Sequence, residues 1–519
     1  MIRSFLTVSA GTLASRLLGF ARDAMIAALL GAGPVADAFL VAFQLVNVVR
    51  RLLTEGALNA ALVPAWLRVR EADGAAAAAV FAGRVLGTVS AALIVAAALI
   101  GLLMPLVMTA LAPGFAGGAT LQLAVDDARL MLPYLAFAGP VTVMMALLNA
   151  QSRFALTAFS PLLFNIALIA VMLALLLWRQ DASSAAPILA ATVGIAGFLQ
   201  LLILVLRRGE NVAMPLRVAF DAPMRTFLGK AIPGMVASAG PQLLVVAGAV
   251  IASSSPSAVS WLYFANRLIE LPLGIVGVAM GTVLVPELSR ALRGSDHTAI
   301  AHAGSRGLEL ALGLALPATL GLIVLGAPIV RLLFEHGAFT ASDSAATAHA
   351  LMWLALGLPA HVLVKALSPA FFAREDTITP LLATLKGLAV AIVLAIVLGH
   401  IFGPNGIAAS IAFGAWSSAL ALIRRGAATF GFSIDAAARR RLPRIVVAAL
   451  AMGGLLWLVP ALVLPPTADA HGLVQAALLA TLISGGMAIY GLLLGAFGVV
   501  KWDAAVAAVR QTKVTGLRD

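Results

Sequence analysis

Cysteine is absent from all 519 residues, and charged side chains make up only 11% of the chain. The first absence excludes disulfide bonds, a thiol nucleophile and a thiolate metal site. The seven histidines show no metal-binding spacing such as H-E-x-x-H, and no P-loop occurs. The sequence therefore predicts a protein that is not an enzyme and that requires no metal and no cofactor.

Apolar residues dominate the chain instead. They make up 62% of it, and the mean hydropathy is +1.05. A helix needs roughly 17 to 25 mostly apolar residues to cross a bilayer, and such segments recur along the whole sequence. We therefore predict an all-α polytopic membrane protein with about 14 transmembrane helices. The predicted cores are residues 5–30, 35–63, 85–111, 130–149, 161–178, 188–206, 227–253, 259–284, 308–325, 350–372, 380–401, 407–422, 445–464 and 473–500.

Positive charge is distributed unevenly over the segments that connect these predicted spans. The termini and the loops after even-numbered spans hold nearly all of the basic residues, whereas the loops after odd-numbered spans hold only Arg179 and Arg331. Because Lys and Arg in short loops stay on the cytoplasmic side, the pattern predicts that both termini are cytoplasmic. The net charge of +12 then reflects membrane topology and does not indicate a nucleic-acid partner.

Three sequence landmarks recur in the same order, which indicates an internal duplication. They are Leu-Val-Pro at 62–64 and 284–286, a loop arginine at Arg153 and Arg374, and a glycine-containing loop at 113–127 and 337–343. Many transporters consist of two related halves with the substrate site between them. We therefore predict one six-helix bundle in residues 1–220, a second in residues 221–430, and two additional helices in residues 431–519.

Several arginines lie inside predicted spans, where a charge is costly. Arg16, Arg22 and Arg50 lie in the first two spans, and Arg267 lies in the eighth. A cation at the centre of a bilayer costs at least about 2.5 kcal/mol, and the bidentate guanidinium group is well matched to phosphate and pyrophosphate. We predict that these four arginines line a water-filled cavity for an anionic, phosphate-bearing substrate of a transporter or flippase.

Neighbouring carboxylates allow a structural interpretation as well. Arg51 and Glu55 have i,i+4 spacing, and Arg267 and Glu270 have i,i+3 spacing, so each pair can neutralise itself along one face of a helix. We interpret Arg51 and Glu55 as a structural ion pair. For Asp37, both a structural counter-ion and a role in the substrate site remain open.

Three segments resemble the signature of a known family. Residues 15–23 (SRLLGFARD), 37–39 (DAF) and 47–57 (NVVRRLLTEGA) resemble the MurJ (MviN) lipid II flippases, which belong to the multidrug/oligosaccharidyl-lipid/polysaccharide (MOP) exporter superfamily. Further matches extend the resemblance over essentially the whole chain.

The resemblance implies a protein of the inner (plasma) membrane, with two six-helix bundles in a V shape. By alternating access it would move lipid II from the cytoplasmic to the periplasmic leaflet for cell wall synthesis. Lipid II carries a disaccharide-pentapeptide on undecaprenyl pyrophosphate; its pyrophosphate would lie near the arginines and its tail in a groove formed by the two additional helices. Membrane lipids and the cell-wall synthesis machinery are implied as further partners. The implied substrate-binding residues are Arg16, Arg22, Arg50, Arg267, Asp37, Asn47, Ser260 and Glu270.

Other functions remain open. The chain could export another polyprenyl-pyrophosphate-linked saccharide, act as a drug/proton antiporter of the same superfamily, or serve as a non-transporting scaffold. Some members of the family resemble sodium-coupled transporters with acidic ligands on spans seven and eleven. Residues 227–253 and 380–401 contain neither Asp nor Glu, and a hard cation prefers anionic oxygen ligands. We therefore expect coupling to membrane potential or protons.

Overall fold

The computed structural model describes residues 2–54, 57–151, 153–206, 213, 216–237, 240–279, 297–372, 374, 376–430, 433–463 and 472–500. Within these ranges the chain is almost entirely α-helical and contains no β-strand. Helices suit this composition, because an apolar segment in a bilayer must satisfy its backbone hydrogen bonds internally. The prediction of an all-α polytopic membrane protein is confirmed.

The chain divides into two compact units. The first comprises Met1–Phe264 and Phe334–Ser344, and the second comprises Ala265–Leu333 and Ala345–Asp519. Helix α11 begins in the first unit and ends in the second. The preceding helices are α1 (Ile2–Leu30), α2 (Pro34–Thr54), α3 (Ala57–Leu102), α4 (Met104–Leu111), α5 (Ala119–Met131), α6 (Pro133–Ala150), α7 (Phe154–Leu177), α8 (Ala182–Leu206), α9 (Ala222–Ala237), α10 (Gly240–Ala252) and then α11 (Ala258–Ala279).

The helices after α11 lie mainly in the second unit. They are α12 (His297–Phe334), α13 (Ala341–Ala355), α14 (Leu358–Phe372), α15 (Ile378–Phe402), α16 (Pro404–Phe430), α17 (Ala436–Val463) and α18 (Leu473–Ala496). The sequence-based division into three parts at residues 220 and 430 remains a prediction.

The predicted apolar cores coincide with these helices. As far as the described residues extend, each core overlaps one helix or two successive helices, such as 227–253 on α9 and α10. Among the described residues, nine helices are long and apolar enough to cross a membrane, or ten if α13 and α14, which meet at a bend of 44°, form one span. The number of about 14 crossings therefore remains a prediction.

The segment around Pro64 differs from the sequence interpretation, which ended a long helix there and placed a basic loop after it. Pro64 instead lies inside α3, and the helix continues through the basic residues to Leu102. The run of five alanines at 75–79 favours helix. The helix is interrupted at Gly74, whose φ of 85° and ψ of 178° suit glycine alone.

A short segment between α12 and α13 belongs to the first unit. In Phe334–Ser344 the backbone N–H of Ala338 donates to the carbonyl of Ala28 over 2.7 Å. The indole Nε1 of Trp261 donates to Asp343 Oδ1 over 3.1 Å. These bonds hold the start of α11 and the end of α1 against one segment, which fixes the neighbourhood of Ser260.

Candidate functional site

Arg22 forms a buried polar cluster near the end of α1. Its Nε and Nη2 donate to Asp23 Oδ1 over 3.0 and 2.6 Å, and its Nη1 donates to Asn165 Oδ1 on α7 over 3.0 Å. The two charged side chains are 7% and 0% exposed. A buried charge is tolerated only when it is paired and hydrogen-bonded, and this cluster meets both conditions.

Aromatic rings complete the environment of the Arg22 guanidinium. Its central carbon lies 5.0 Å from the ring centroid of Phe43 on α2 and 5.8 Å from that of Phe164 on α7. Arginine is attracted to the face of an aromatic ring at such distances. Arg22 therefore joins α1, α2 and α7 through one side chain.

The same cluster reaches the beginning of α11. The hydroxyl of Tyr263 donates to Asp23 Oδ1 over 3.3 Å. The amide Nδ2 of Asn165 donates to the carbonyl of Ser15 over 3.3 Å. The sequence assignment of substrate-binding residues omitted Asp23, Asn165 and Tyr263. Asp23 directly follows Arg22 in the SRLLGFARD motif, which is a signal that could have identified it.

Arg50 and Asn47 form a second polar group, on α2. Arg50 Nη2 donates to Asn47 Oδ1 over 3.1 Å, and both side chains are partly buried. Their i,i+3 spacing places them on one face of the helix. Asn47 thereby orients a guanidinium group that keeps some access to solvent.

Arg16 has a different environment from Arg22, although both lie on α1. Its side chain is exposed, and so are its neighbours Leu13 and Leu17. Six residues of helix separate the two arginines by about 9 Å along the axis. Of the three predicted arginines in the first unit, Arg16 and Arg50 are thus accessible and Arg22 is enclosed.

Asp37 and Ser260 are brought together although 223 positions separate them. Asp37 on α2 is 2% exposed and accepts hydrogen bonds from the backbone N–H and the hydroxyl of Ser260, over 2.9 and 2.5 Å. Ser260 lies in the first turn of α11, where backbone N–H groups have no helical partner and a carboxylate is favoured. Asp37 therefore caps α11 from a neighbouring helix.

Arg267 and Glu270 lie on the part of α11 that belongs to the second unit. Arg267 Nη1 lies 2.7 Å from Glu270 Oε2, and the side chains are 22% and 28% exposed. The mutual neutralisation that their spacing allowed is present. The guanidinium of Arg267 is oriented by Glu270 and remains partly accessible.

Some residues named in the sequence predictions lie outside the part of the chain that the structure describes. Glu55 lies outside the described residues, so the Arg51–Glu55 ion pair remains a prediction. The second Leu-Val-Pro landmark, at 284–286, is also outside them. Among the residues that are described, no group of three or more His, Asp or Glu side chains is arranged to hold a metal ion.

Comparison with known proteins places the chain in a family. The model of the family described as "Lipid II flippase MurJ" matches residues 26–469. The chain belongs to the MurJ family. The resemblance that the motifs of α1 and α2 indicated is therefore confirmed, and the family is one of flippases.

Curated relatives resemble the chain over nearly its full length. The "Probable lipid II flippase MurJ" of Rhizobium meliloti (strain 1021) is 38% identical over 525 residues, which cover 99% of this chain and 97% of that protein. The "Lipid II flippase MurJ" of Burkholderia cenocepacia is 33% identical over 431 residues, which cover 81% and 83% of the two chains.

Solved structures share the fold. A structure of "Lipid II flippase MurJ, inward closed conformation" matches with a TM-score of 0.76 at 22% identity and covers 95% of this chain and 98% of its own. An inward-facing multidrug resistance MATE family transporter of the MOP superfamily matches with a TM-score of 0.67 at 14% identity, covering 82% and 98%. The chain therefore shares its fold with both of these solved structures.

Proposed function

We propose that this chain moves lipid II from the cytoplasmic to the periplasmic leaflet by alternating access. The observation that carries the proposal is that the chain is 38% identical, over nearly its full length, to a relative named as a probable lipid II flippase. The accessible arginines on α1, α2 and α11 support it, since the pyrophosphate of lipid II is an anion that planar guanidinium groups bind well.

The structure supports different roles for the predicted residues. Arg16, Arg50 and Arg267 retain accessible surface and are proposed to contact the pyrophosphate. Asn47 and Glu270 orient Arg50 and Arg267 through the hydrogen bonds described above. Such partners matter because a binding group must be held close to its productive geometry.

Arg22, Asp37 and Ser260 are proposed to act as positioning residues. Arg22 is 6% exposed and its donors point at Asp23 and Asn165, while Asp37 is engaged by Ser260. These contacts join helices of the first unit. Their loss would displace α1, α2 and the start of α11. Arg16 and Arg50 lie on the first two of these helices, and Arg267 lies further along α11.

The proposal includes an orientation in the membrane. Both termini are cytoplasmic, the membrane is the inner membrane, and α17 and α18 provide a groove for the polyprenyl tail. Charge supports this orientation through the basic loops that follow even-numbered predicted spans. The predicted apolar cores on α17 and α18, residues 445–464 and 473–500, contain no charged residue, as a surface in contact with a hydrocarbon tail requires.

The test is complementation of a bacterial strain depleted of its own flippase, with lipid II exposed on the periplasmic face as the readout. We expect the wild-type chain to restore exposure, and Arg16→Ala, Arg50→Ala and Arg267→Ala to reduce it at least tenfold at equal membrane levels. Arg439→Ala removes an exposed basic residue outside the predicted site and serves as the matched control.

Each outcome of this assay bears on a separate part of the proposal. Failure of a correctly inserted wild-type chain would contradict lipid II as the substrate. Full rescue by all three arginine variants would contradict the assignment of the pyrophosphate contacts, while leaving the transport activity in place. An equal loss in the Arg439→Ala control would attribute the effect to net charge.

A further inference from the structure

Helices α15 and α16 approach each other so closely that their backbones touch at two glycines. A Cβ atom added at Gly387 would lie 2.5 Å from the carbonyl oxygen of Gly414, and one added at Gly414 would lie 2.6 Å from the carbonyl oxygen of Gly387. Small residues permit such close packing of membrane helices.

A cavity of about 500 Å³ opens between the two helices beyond this contact. Three of the residues that line it are basic, namely Lys386 on α15 and Arg424 and Arg425 on α16. All three side chains are exposed. Lys386 lies eight residues beyond the first residue of α15, which places it about 12 Å along the helix axis.

The positive charge of this cavity is largely unneutralised. Within the described part of the chain, neither Lys386 nor Arg424 has a carboxylate within ion-pair distance. Arg425 acts electrostatically on Asp376, whose pKa is lowered mainly by a hydrogen bond from the Thr379 side chain and to a smaller extent by Arg425. The cavity therefore keeps a net positive charge.

The cavity opens beside an apolar surface. Leu382 lines it and is 56% exposed, and further along α15 Val393 and Ile396 are 62% and 68% exposed. Exposed apolar side chains on a membrane-spanning helix face lipid, since water would make such exposure costly. A basic cavity continuous with a lipid-facing surface matches a ligand that has both an anionic group and an acyl chain.

The positive-inside pattern does not by itself explain this arrangement. That pattern requires basic residues in loops, whereas Lys386 lies within a helix and shares a cavity with arginines of the facing helix. Basic pockets between membrane helices on the cytoplasmic side are sites for anionic lipid head groups. The chemistry of the lining residues points to the same class of ligand.

We propose that the cleft between α15 and α16 binds one anionic phospholipid of the cytoplasmic leaflet. Lys386, Arg424 and Arg425 contact its phosphate, and an acyl chain lies along Leu382. This site is distinct from the predicted lipid II contacts and goes beyond lipid II export. The assignment to the cytoplasmic leaflet rests on the proposed orientation of the protein, whereas the proposal that the cavity binds an anionic phospholipid does not.

Native mass spectrometry of the detergent-purified full chain tests the site, with phosphatidylglycerol and phosphatidylcholine as probes and no lipid II present. We expect the wild-type chain to retain phosphatidylglycerol in preference to phosphatidylcholine. The Lys386→Gln/Arg424→Gln variant should bind phosphatidylglycerol at least tenfold more weakly. The control Arg439→Gln/Arg440→Gln removes the same charge from exposed positions at the start of α17 and should change binding less than twofold.

Folding is checked by comparing melting temperatures without added lipid. If Lys386→Gln/Arg424→Gln melts at a lower temperature than the wild type, the charge-preserving Lys386→Arg/Arg424→Lys variant distinguishes a loss of folding from a loss of charge. This variant should retain phosphatidylglycerol. Equal weakening in the control, equal retention of phosphatidylcholine, or displacement of the lipid by inorganic phosphate would each overturn the proposal. A chain that exports lipid II but retains no phosphatidylglycerol would separate this inference from the proposed function.

Discussion

Arg16 and Arg22 show how two arginines of one helix acquire different properties. Both lie on α1 in a motif typical of the family, yet Arg16 is exposed and Arg22 is 6% exposed. The difference arises from Asn165 on α7, which lies 143 positions away in sequence and accepts from Arg22. A single sequence identifies the arginines, but only the packing of α7 against α1 shows which one is enclosed.

The buried Arg22–Asp23 pair leads to a prediction about stability. Asp23→Asn leaves the guanidinium enclosed without its counter-charge, and removal of one partner of a buried ion pair costs about 3 to 5 kcal/mol. We therefore expect a markedly lower melting temperature in detergent. The double variant Arg22→Met/Asp23→Leu removes both charges and should recover most of the stability, because apolar replacements of a buried pair are often tolerated.

Export by the double variant then distinguishes a structural role of Arg22 from a requirement for its charge. If Arg22 acts only by holding α1 in place, and the apolar pair preserves the packing of α1 against α7, the stable double variant should export lipid II at a rate close to wild type. Loss of export in a stable double variant would show that the Arg22 charge itself is required. Double and single variants of equal stability would contradict the interpretation of the cluster as an obligatory ion pair.

Asp37 and Ser260 illustrate what the resemblance to a family adds at the scale of residues. Both were predicted as substrate-binding residues, but no spacing rule relates two positions 223 residues apart. The structure joins them through two hydrogen bonds at the start of α11. Their contact was unpredictable from one sequence because it depends on how α2 packs against α11.

At the scale of helices, a hydrogen bond from Tyr490 joins α18 to α12 at a carbonyl that Pro317 leaves without a helical donor. Pro317 lies inside α12 and has no backbone N–H, so it cannot donate to the carbonyl four residues earlier, at Gly313. The hydroxyl of Tyr490 on α18 donates to this carbonyl over 2.8 Å. Tyr490 is 4% exposed and packs in a cluster with Leu325, Met452 and other residues of the second unit.

This link predicts coupling between Tyr490 and Pro317. Tyr490→Phe leaves the Gly313 carbonyl without its donor, and hydrogen bonds between membrane helices contribute about 0.6 to 2 kcal/mol. Pro317→Ala restores the donor within α12, so Tyr490→Phe should then have little effect. A double-mutant cycle of melting temperatures measures this coupling, and additive effects would contradict it.

The start of α17 depends on a carboxylate. Asp435 Oδ1 accepts the backbone N–H of Ala438 over 2.7 Å, and Oδ2 lies 3.2 Å from His302 Nδ1 on α12. These contacts, led by the Ala438 bond, lower the pKa of Asp435 from its ordinary value of 3.8. The ionised carboxylate therefore stabilises the fold at neutral pH, and this stabilisation is lost as the pH falls below 3.8.

Melting temperatures of the wild type and Asp435→Ala between pH 7 and pH 3 check this effect. The alanine variant should be about 1 kcal/mol less stable at pH 7, as is typical when an N-cap side chain is removed. The difference should shrink below pH 3.8. His302→Gln keeps the cap and should retain most of the stability, so a loss as large as that of Asp435→Ala would assign the effect to the histidine.

Helix positions followed from the sequence better than helix ends did. Apolar runs predicted where helices lie because the membrane imposes helical backbone on them. The error at Pro64 arose because the second apolar core was ended at residue 63, just before the proline, whereas α3 accommodates Pro64 and is interrupted at Gly74 instead. The bend between α13 and α14 was missed as well, because residues 350–372 were predicted as one apolar core although Gly357 and Pro359 lie at the break.

The whole molecule was predicted most securely where composition and motif agreed. Composition indicated a polytopic helical protein, and the motifs of α1 and α2 indicated the family that the match over residues 26–469 establishes. The ion pair of Arg267 with Glu270 was one of two readings that the spacing allowed. The basic cavity between α15 and α16 was not predicted, because no spacing in the sequence relates Lys386 to Arg424 and Arg425 on the facing helix.

Energy coupling is a property of the whole molecule, and the distribution of carboxylates predicts it. The predicted seventh and eleventh spans, residues 227–253 and 380–401, contain no Asp or Glu, and the described residues contain no cluster that would hold a metal ion. A sodium ion in a membrane protein needs oxygen ligands, usually with a carboxylate among them. We therefore expect lipid II export to be independent of sodium.

Export in proteoliposomes with a fixed membrane potential should change less than twofold when sodium is replaced by choline. It should fall when the potential or the proton gradient is removed. Sodium-dependent export at constant potential would contradict this prediction, and it would place the sodium site on backbone and hydroxyl oxygens of these two spans or on carboxylates of other helices.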